Sequence, residues 1–160
     1  MKMILMILAT VLIGCAAVAL TSGSKNGQSL TARKTSEAMD KTFEYFSYMG
    51  NALKVDEKRQ NELFTPDFQM IINGKLVVDG RDKLTPHFEH LFSQVERVDM
   101  DLHEKVVADN KCVMRYDVRK PGKSTSKVIA IFKFRNGRIY EMNEVVHSVN
   151  PEIAIDFMSR

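Results

Sequence analysis

The spacing of apolar residues changes along the chain from a helical period to strict alternation. Near the start, Met39, Phe43 and Phe46 recur on one helix face, which predicts a helix over about residues 35–49. The pattern then predicts a second helix at residues 56–64, a hairpin in "FQMIINGKLVVDG" and a third helix in "RDKLTPHFEHLFSQ". Three helices therefore precede most of the strands.

From Val95 onward the alternation predicts strands, followed by a short helix at residues 150–160. The strands are "VERVDMDLHEKVV", "KCVMRYDVRK" and the two arms of "KVIAIFKFRNGRIYEMNEVVHSV", which turn at Asn136-Gly137. Helices collected ahead of an antiparallel meander predict an α+β fold with the helices on one face of the sheet. Because long strands twist and curve, we expect a cavity between the sheet and the helices.

The last hairpin has one face that mixes aromatic and polar side chains. Pairing outward from its Asn-Gly turn places these residues together: Phe132, Phe134, Ile139, Glu141, Asn143, Val145 and His147. We interpret this face as cavity lining, in which Glu141 and His147 are catalytic acid–base candidates. Phe132 and Asn143 are then candidate ligand contacts. The alternative is a face open to water near the end of the sheet, or charges that pair with each other.

Other polar residues lie close to the predicted cavity. Glu104 interrupts an apolar face in its strand, and it is either a solvated residue at the strand end or an inward general base with a raised pKa. Tyr116 lies on the matching face of the next strand. Tyr45 on the first helix and His87 on the third are further candidate ligand contacts, although a tyrosine at a helix edge often only packs there.

The N-terminal residues 1–20 read as an export signal, because one lysine precedes an uncharged apolar run. Three outcomes remain open. Cleavage after Ala19 would produce a mature protein, the "LIGC" run would produce a lipoprotein lipidated at Cys15, and retention would leave a membrane anchor. Each outcome predicts an exported protein, periplasmic or membrane-tethered in a bacterial envelope. Residues 21–34 are polar and predict a flexible tether ahead of a domain at residues 35–160.

Composition and charge narrow the classes of partner. The 160 residues are 44% hydrophobic and 27% charged with a net charge of +3, which is ordinary for one globular domain. The chain has no stripe of basic residues interleaved with aromatic ones, so we do not expect it to bind nucleic acid. His87 and His90 lie three residues apart without a third ligand at metal-site spacing, so we expect no metal. No motif for a bound cofactor occurs. Since Cys112 is the one cysteine of the mature domain, no internal disulfide is expected.

Four stretches resemble the SnoaL-like group of the nuclear transport factor 2-like superfamily. They are "FEYFSYMGNALKVDE", "LFTPDFQMIING", "VVDGRDKLTPHFEHLF" and "FKFRNGRIYEMNEVV". The resemblance implies a cone-shaped α+β fold, three N-terminal helices against a curved antiparallel sheet, with a ligand pocket at its open end. It also implies dimers formed through the sheet, which agrees with an apolar reverse face of the hairpin that carries Ile129, Ile131, Met142 and Val146.

Several functions fit this resemblance. The first is an exported or membrane-tethered domain that binds a small apolar or amphipathic ligand in its cone. The second is an enzyme of the cyclase or isomerase kind, although the first strand, "FQMIIN", lacks the carboxylate that enzymes of the superfamily often carry there. The third is a module of protein assembly in the envelope.

Overall fold

One layer of helices covers one face of a six-stranded sheet. The computed structural model describes residues 29–122 and 125–148. Its helices are Leu30–Ala52 (α1), Glu57–Leu63 (α2) and Leu84–Phe92 (α3), and a 3-10 turn at Arg81–Lys83 precedes α3. Its strands are Phe64–Ile72 (β1), Lys75–Asp79 (β2), Asp99–Ala108 (β3), Lys111–Arg119 (β4), Ser126–Arg135 (β5) and Arg138–Ser148 (β6). The predicted α+β class is confirmed.

The strand order is β2-β1-β6-β5-β4-β3, so the final strand lies inside the sheet. All neighbours pair antiparallel except β1 and β6, which run parallel. Strand β6, the last described strand along the chain, is therefore flanked by β1 and β5. The inner face of the sheet packs against α1 and α3, and this layer contains the buried core.

Helix α1 begins five residues earlier than its apolar stripe predicts. The Ser29 side chain caps it by accepting a hydrogen bond from the Ala32 backbone N–H at 3.0 Å. The buried Thr35 hydroxyl donates to the Asp109 carbonyl in the β3–β4 turn, which fixes the first turns to the sheet. Residues 30–34, which we assigned to a tether, are therefore helical. The predicted export signal at residues 1–20 and the predicted C-terminal helix lie outside the described residues.

A bulge in β3 changes which of its side chains face the helices. Leu102 pairs with Tyr116, but Glu104 pairs with Arg115, so His103 is an extra residue in the ladder. Beyond it, Lys105 and Val107 face inward. The Lys105 ammonium donates to the Ser36 hydroxyl at 3.0 Å and to the Asp40 carboxylate at 2.5 Å, both on α1. The predicted alternation holds only for the first part of this strand.

A second bulge, in β6, has the same effect on the last hairpin. Phe134 pairs with Ile139 as predicted, but Lys133 pairs with Glu141, which makes Tyr140 the extra residue. Because side chains alternate strictly, one inserted residue turns every later residue to the opposite face. Met142, Glu144, Val146 and Ser148 consequently face the helices. Glu141, Asn143, Val145 and His147 face outward, so the prediction that they line the cavity is wrong.

The outer face of the sheet carries a row of residues that crosses every strand and is apolar except at Asn143; we call it the apolar row. In register order the row is Leu76, Ile71, Asn143, Ile131, Val113 and Val106. Ile129 and Val145 extend the row and are 50% and 61% exposed. Ile129 and Ile131 therefore lie on the outer face as predicted, whereas Met142 and Val146 do not. None of the helices within residues 29–122 and 125–148 combines the length and the apolar content that a membrane span needs.

Candidate functional site

A cavity of about 150 Å³ lies between the inner face of the sheet, α1, α3 and the segment that leads into β3. Most of its walls are apolar. They include four methionines, Met49, Met70, Met100 and Met142, and three phenylalanines, Phe46, Phe88 and Phe92. An apolar concavity of this kind with a few polar groups is the usual form of a small-molecule site.

The polar centre of the cavity is a buried pair, Tyr116 on β4 and Glu144 on β6. The Tyr116 hydroxyl donates a short hydrogen bond to Glu144 Oε1, and the two residues are only 3% and 8% exposed. Strand β5 separates β4 from β6, so the two backbones lie about 10 Å apart. The residue of β5 beside Glu144 is Ala130. Its small side chain leaves the space in which the phenol reaches the carboxyl.

Burial changes the protonation of this pair. Loss of solvation raises the pKa of Glu144 from 4.5 to about 7, and the hydrogen bond from Tyr116 opposes this rise but does not cancel it. The pKa of Tyr116 lies well above its ordinary value, first because of burial and then because of the nearby carboxyl. Near neutral pH the phenol stays protonated, while both forms of the carboxyl are populated. Glu144 can therefore take up or release a proton.

The second oxygen of this carboxyl is available to a ligand. Within residues 29–122 and 125–148, Tyr116 is the one hydrogen-bond partner found for the Glu144 side chain, and it uses Oε1. Neutral Glu144 carries its proton on Oε2 and can donate it, whereas ionised Glu144 can accept there. Oε2 can therefore bind either a carbonyl or a hydroxyl group.

His87 also lines the cavity, from helix α3. Burial, with a smaller contribution from His90, lowers the pKa of its imidazole below the ordinary 6.5, so the ring is neutral at pH 7. Its ring lies 5.8 Å from that of Phe88 in an edge-to-face arrangement. The side chain therefore adds a neutral polar group to a largely aromatic wall.

Polar residues of the lining gather at one edge of the sheet. They are Asn73 after β1, Lys120 after β4, Ser126 at the start of β5 and Ser148 at the end of β6. The Asn73 side chain accepts from the Val146 N–H at 2.9 Å and donates to the Val146 carbonyl at 3.3 Å. These two bonds fix the β1–β2 turn against β6. The lining at this edge of the sheet is therefore polar.

The three predicted catalytic candidates all lie on the outer face. Glu104 is exposed and pairs with Arg115 at 3.5 Å. Glu141 pairs with Lys133 at 2.8 Å, and His147 is exposed on the same side. Within the described chain none of the three lines the cavity. The bulges at His103 and Tyr140 account for this difference.

The predicted ligand contacts divide into three groups. Tyr116 and His87 line the cavity. Tyr45 and Phe132 are buried in the core beside it, with Tyr45 packed against Phe64 at 6.5 Å between ring centroids. Asn143 lies on the outer face. Cys15, the candidate for lipidation, lies outside the described residues.

Glu144 is the site residue that sequence reasoning missed. A signal for it exists, since Glu144 stands between Met142 and Val146 on the face that we predicted to be apolar and unsuited to solvent. Met142 and Val146 on either side favour burial of that face, and with it of Glu144. No group of three metal-ligating side chains occurs in the part of the chain that the structure describes.

Comparison with known proteins gives one family. A family model described as the SnoaL-like domain matches residues 52–142. A curated relative, an uncharacterized protein of Schizosaccharomyces pombe, is 28% identical over 87 residues. That match covers 52% of this chain and 65% of the relative, which is less than two thirds of the relative's length.

Solved structures share the fold at low sequence identity. A protein of Jannaschia sp. CCS1, described as a candidate SnoaL-like polyketide cyclase, is similar at a TM-score of 0.65 and 14% identity, covering 86% of this chain and 99% of that one. A nuclear transport factor 2-like protein of Anabaena variabilis gives 0.66 and 16%, covering 76% and 96%. A candidate ketosteroid isomerase of Kribbella flavida gives 0.59 and 7%, covering 74% and 82%. The predicted superfamily fold is confirmed.

Proposed function

This chain belongs to the SnoaL-like domain family, and on that premise we propose that its cavity binds a small, mainly apolar molecule that carries one polar group. One observation carries the proposal: the buried Tyr116–Glu144 pair opens onto an apolar cavity of about 150 Å³. A carboxyl oxygen inside a protein lowers the stability of the fold unless it is hydrogen-bonded. A ligand group that hydrogen-bonds to Oε2 supplies that partner.

Native mass spectrometry tests this proposal on protein purified from its own host. We expect a small molecule to remain bound to the wild type. Val146→Phe places a large side chain inside the cavity and should abolish the adduct. Val145→Phe makes the same change one residue away on the outer face and should keep it. An adduct that survives in Val146→Phe, or that is lost equally in both variants, would contradict binding in this cavity.

A second candidate function is acid–base catalysis, because the pKa of Glu144 lies at about 7. Ionised Glu144 would remove a proton from a carbon next to a carbonyl group of the substrate. The protonated carboxyl would then return that proton to another atom of the same molecule, so that the substrate is rearranged and Glu144 is restored. Tyr116 holds the carboxyl throughout. The cyclase and isomerase descriptions of the similar proteins suggest this class of reaction.

Deuterium exchange into a simple ketone tests the catalytic candidate. In D2O, the methyl protons of acetophenone should exchange faster with the protein present, and the rate should rise with pH up to about 7 and then level as Glu144 becomes ionised. Glu144→Gln should abolish the added rate. Glu141→Gln, on the outer face of the same strand, should leave it unchanged. Equal rates for wild type and Glu144→Gln would sink the catalytic proposal but not the binding proposal.

We also propose that the protein is exported or held at a membrane by residues 1–20. The support is the sequence pattern of that segment. Mass spectrometry of the mature N-terminus separates the three outcomes: a start at Leu20, a lipidated Cys15 or an intact Met1. A cytoplasmic protein with an intact, unmodified N-terminus would refute export.

The outer face of the sheet is proposed as a dimer surface. The apolar row from Leu76 to Val106 crosses all six strands and is flanked by Ile129 and Val145. Contiguous apolar patches of this kind on soluble domains usually mark interaction sites. A twofold dimer would bury the same row on both subunits.

A further inference from the structure

The size of the cavity limits what it encloses. Its volume is about 150 Å³. An apolar protein cavity of about this volume holds one benzene molecule. A steroid nucleus contains four fused rings and does not fit in that space. If the proposed function is right, the enclosed part of the ligand is therefore one ring, and a second fused ring overfills the space.

The walls favour an aromatic ring over a saturated one. Phe88 and Phe92 are stacked, with ring centroids 6.0 Å apart and planes 14° from parallel, and Phe46 lies 6.1 Å from Phe88. Methionine sulfur makes favourable contacts with aromatic rings, each contributing roughly 0.3–1.5 kcal/mol. The four methionines of the lining, on α1, β1, β3 and β6, surround the enclosed volume from several sides. A saturated ring of the same size gains neither contact.

The polar pair favours a neutral substituent. Oε2 of Glu144 can bind a hydroxyl or a carbonyl, as described above. A carboxylate on the ligand would meet the buried carboxyl of Glu144. Lys120 is the one lysine among the described residues of the lining, and it follows the end of β4. Its charge is not among the causes of the shifted pKa of Glu144, so it does not offset a second acid beside that carboxyl. Burying a second acidic group there is unfavourable.

We propose that the ligand presents one aromatic ring with one uncharged hydroxyl or carbonyl group to this cavity, with that group bound by Glu144. This inference rests on the proposed function and specifies its ligand class. It differs from the multi-ring substrate that the word ketosteroid describes for one similar protein.

Calorimetric titration of the full-length protein at pH 7 with four probes tests the ligand class. Phenol should bind about tenfold more tightly than cyclohexanol, which has the same number of heavy atoms and a hydroxyl group but no aromatic ring. Phenol should bind at least about fivefold more tightly than 2-naphthol, whose second ring overfills the space. Benzoate should give no measurable binding. A tighter affinity for cyclohexanol, 2-naphthol or benzoate than for phenol would overturn the inference.

Variants separate the polar contact from the volume. In the double variant Glu144→Leu/Tyr116→Phe both polar partners are replaced together, which limits the loss of stability. It should bind benzene and phenol equally, whereas the wild type and the outer-face control Glu141→Leu should prefer phenol about fivefold. Phe88→Ala enlarges the cavity and should reverse the preference between phenol and 2-naphthol. An unchanged phenol preference in the double variant would overturn the assigned role of Glu144.

The outcomes distinguish the inference from the function on which it rests. If a host molecule stays bound in native mass spectrometry and is lost in Val146→Phe, but 2-naphthol outcompetes phenol, the binding function stands and the ligand class is wrong. If no host molecule is bound and none of the probes binds, both are wrong.

Discussion

Replacing Glu144 by glutamine should change the pH dependence of stability in a direction that the structure fixes. The folded protein raises the pKa of this carboxyl from 4.5 to about 7, so the folded state binds the proton more tightly than the unfolded state. The contribution of the neutral carboxyl is therefore fully present below about pH 4.5 and is lost as the pH rises through about 7. The difference between the two pKa values corresponds to about 3 kcal/mol.

Glutamine resembles the neutral carboxyl in shape and does not ionise in this range. We therefore expect Glu144→Gln and wild type to have similar free energies of unfolding near pH 5. At pH 8 the variant should gain on the wild type by up to about 3 kcal/mol, because only the wild type has a buried charge. Chemical denaturation of both proteins at intervals from pH 5 to pH 8.5 measures this difference directly.

The control is Glu141→Gln, because Glu141 lies on the same strand but forms a surface ion pair with Lys133. Its difference from wild type should stay within about 1 kcal/mol across the range. A Glu144→Gln difference that does not change between pH 5 and pH 8 would refute the buried, proton-binding carboxyl. It would also remove the basis for acid–base chemistry in this cavity.

Three further predictions concern the site, its wall and the outer face. Tyr116→Phe removes the hydrogen bond that lowers the pKa of Glu144, so that pKa should rise above 7, which carbon-detected NMR titration of the labelled carboxyl measures. A Cβ at Gly50 would lie 2.4 Å from the Val98 carbonyl oxygen. Gly50→Ala should therefore lower the free energy of unfolding by about 2 kcal/mol, measured by denaturant titration. An unchanged denaturation midpoint would contradict this contact. Ile131→Lys puts a charge in the centre of the apolar row, so light scattering should show a dimer for the wild type and a monomer for the variant. A wild-type protein that stays monomeric at high concentration would refute the dimer surface.

The helices and the class of the fold were predictable because their signals are local. The stripe of Met39, Phe43 and Phe46 and the cap of α2 at Asp56 depend only on nearby residues. The faces of β5 were also predictable up to the hairpin turn, and Phe132 and Phe134 are buried as their alternation indicates. His87 and Tyr116 line the cavity, as their positions in the patterns suggested.

The site itself was not predictable by alternation, because it depends on two inserted residues. Neither His103 nor Tyr140 belongs to a residue type that marks a bulge, and each is accommodated only because the neighbouring strand pairs around it. One unpaired residue exchanges the two faces for the remainder of the strand. Glu104 and Glu141 were therefore placed inside and Glu144 outside. At this position the apolar neighbours Met142 and Val146 indicate the buried face better than counting from the turn does.

The four thioethers around the cavity also make it sensitive to oxidants. Peroxide converts a methionine to a sulfoxide, which is polar and branched at sulfur. Met100 is partly exposed, whereas the other three methionines are buried. If the protein works outside the cytoplasm, as residues 1–20 suggest, peroxide would oxidise Met100 first. Each sulfoxide would place a strong dipole against the aromatic walls, and water would then enter a cavity that is otherwise apolar.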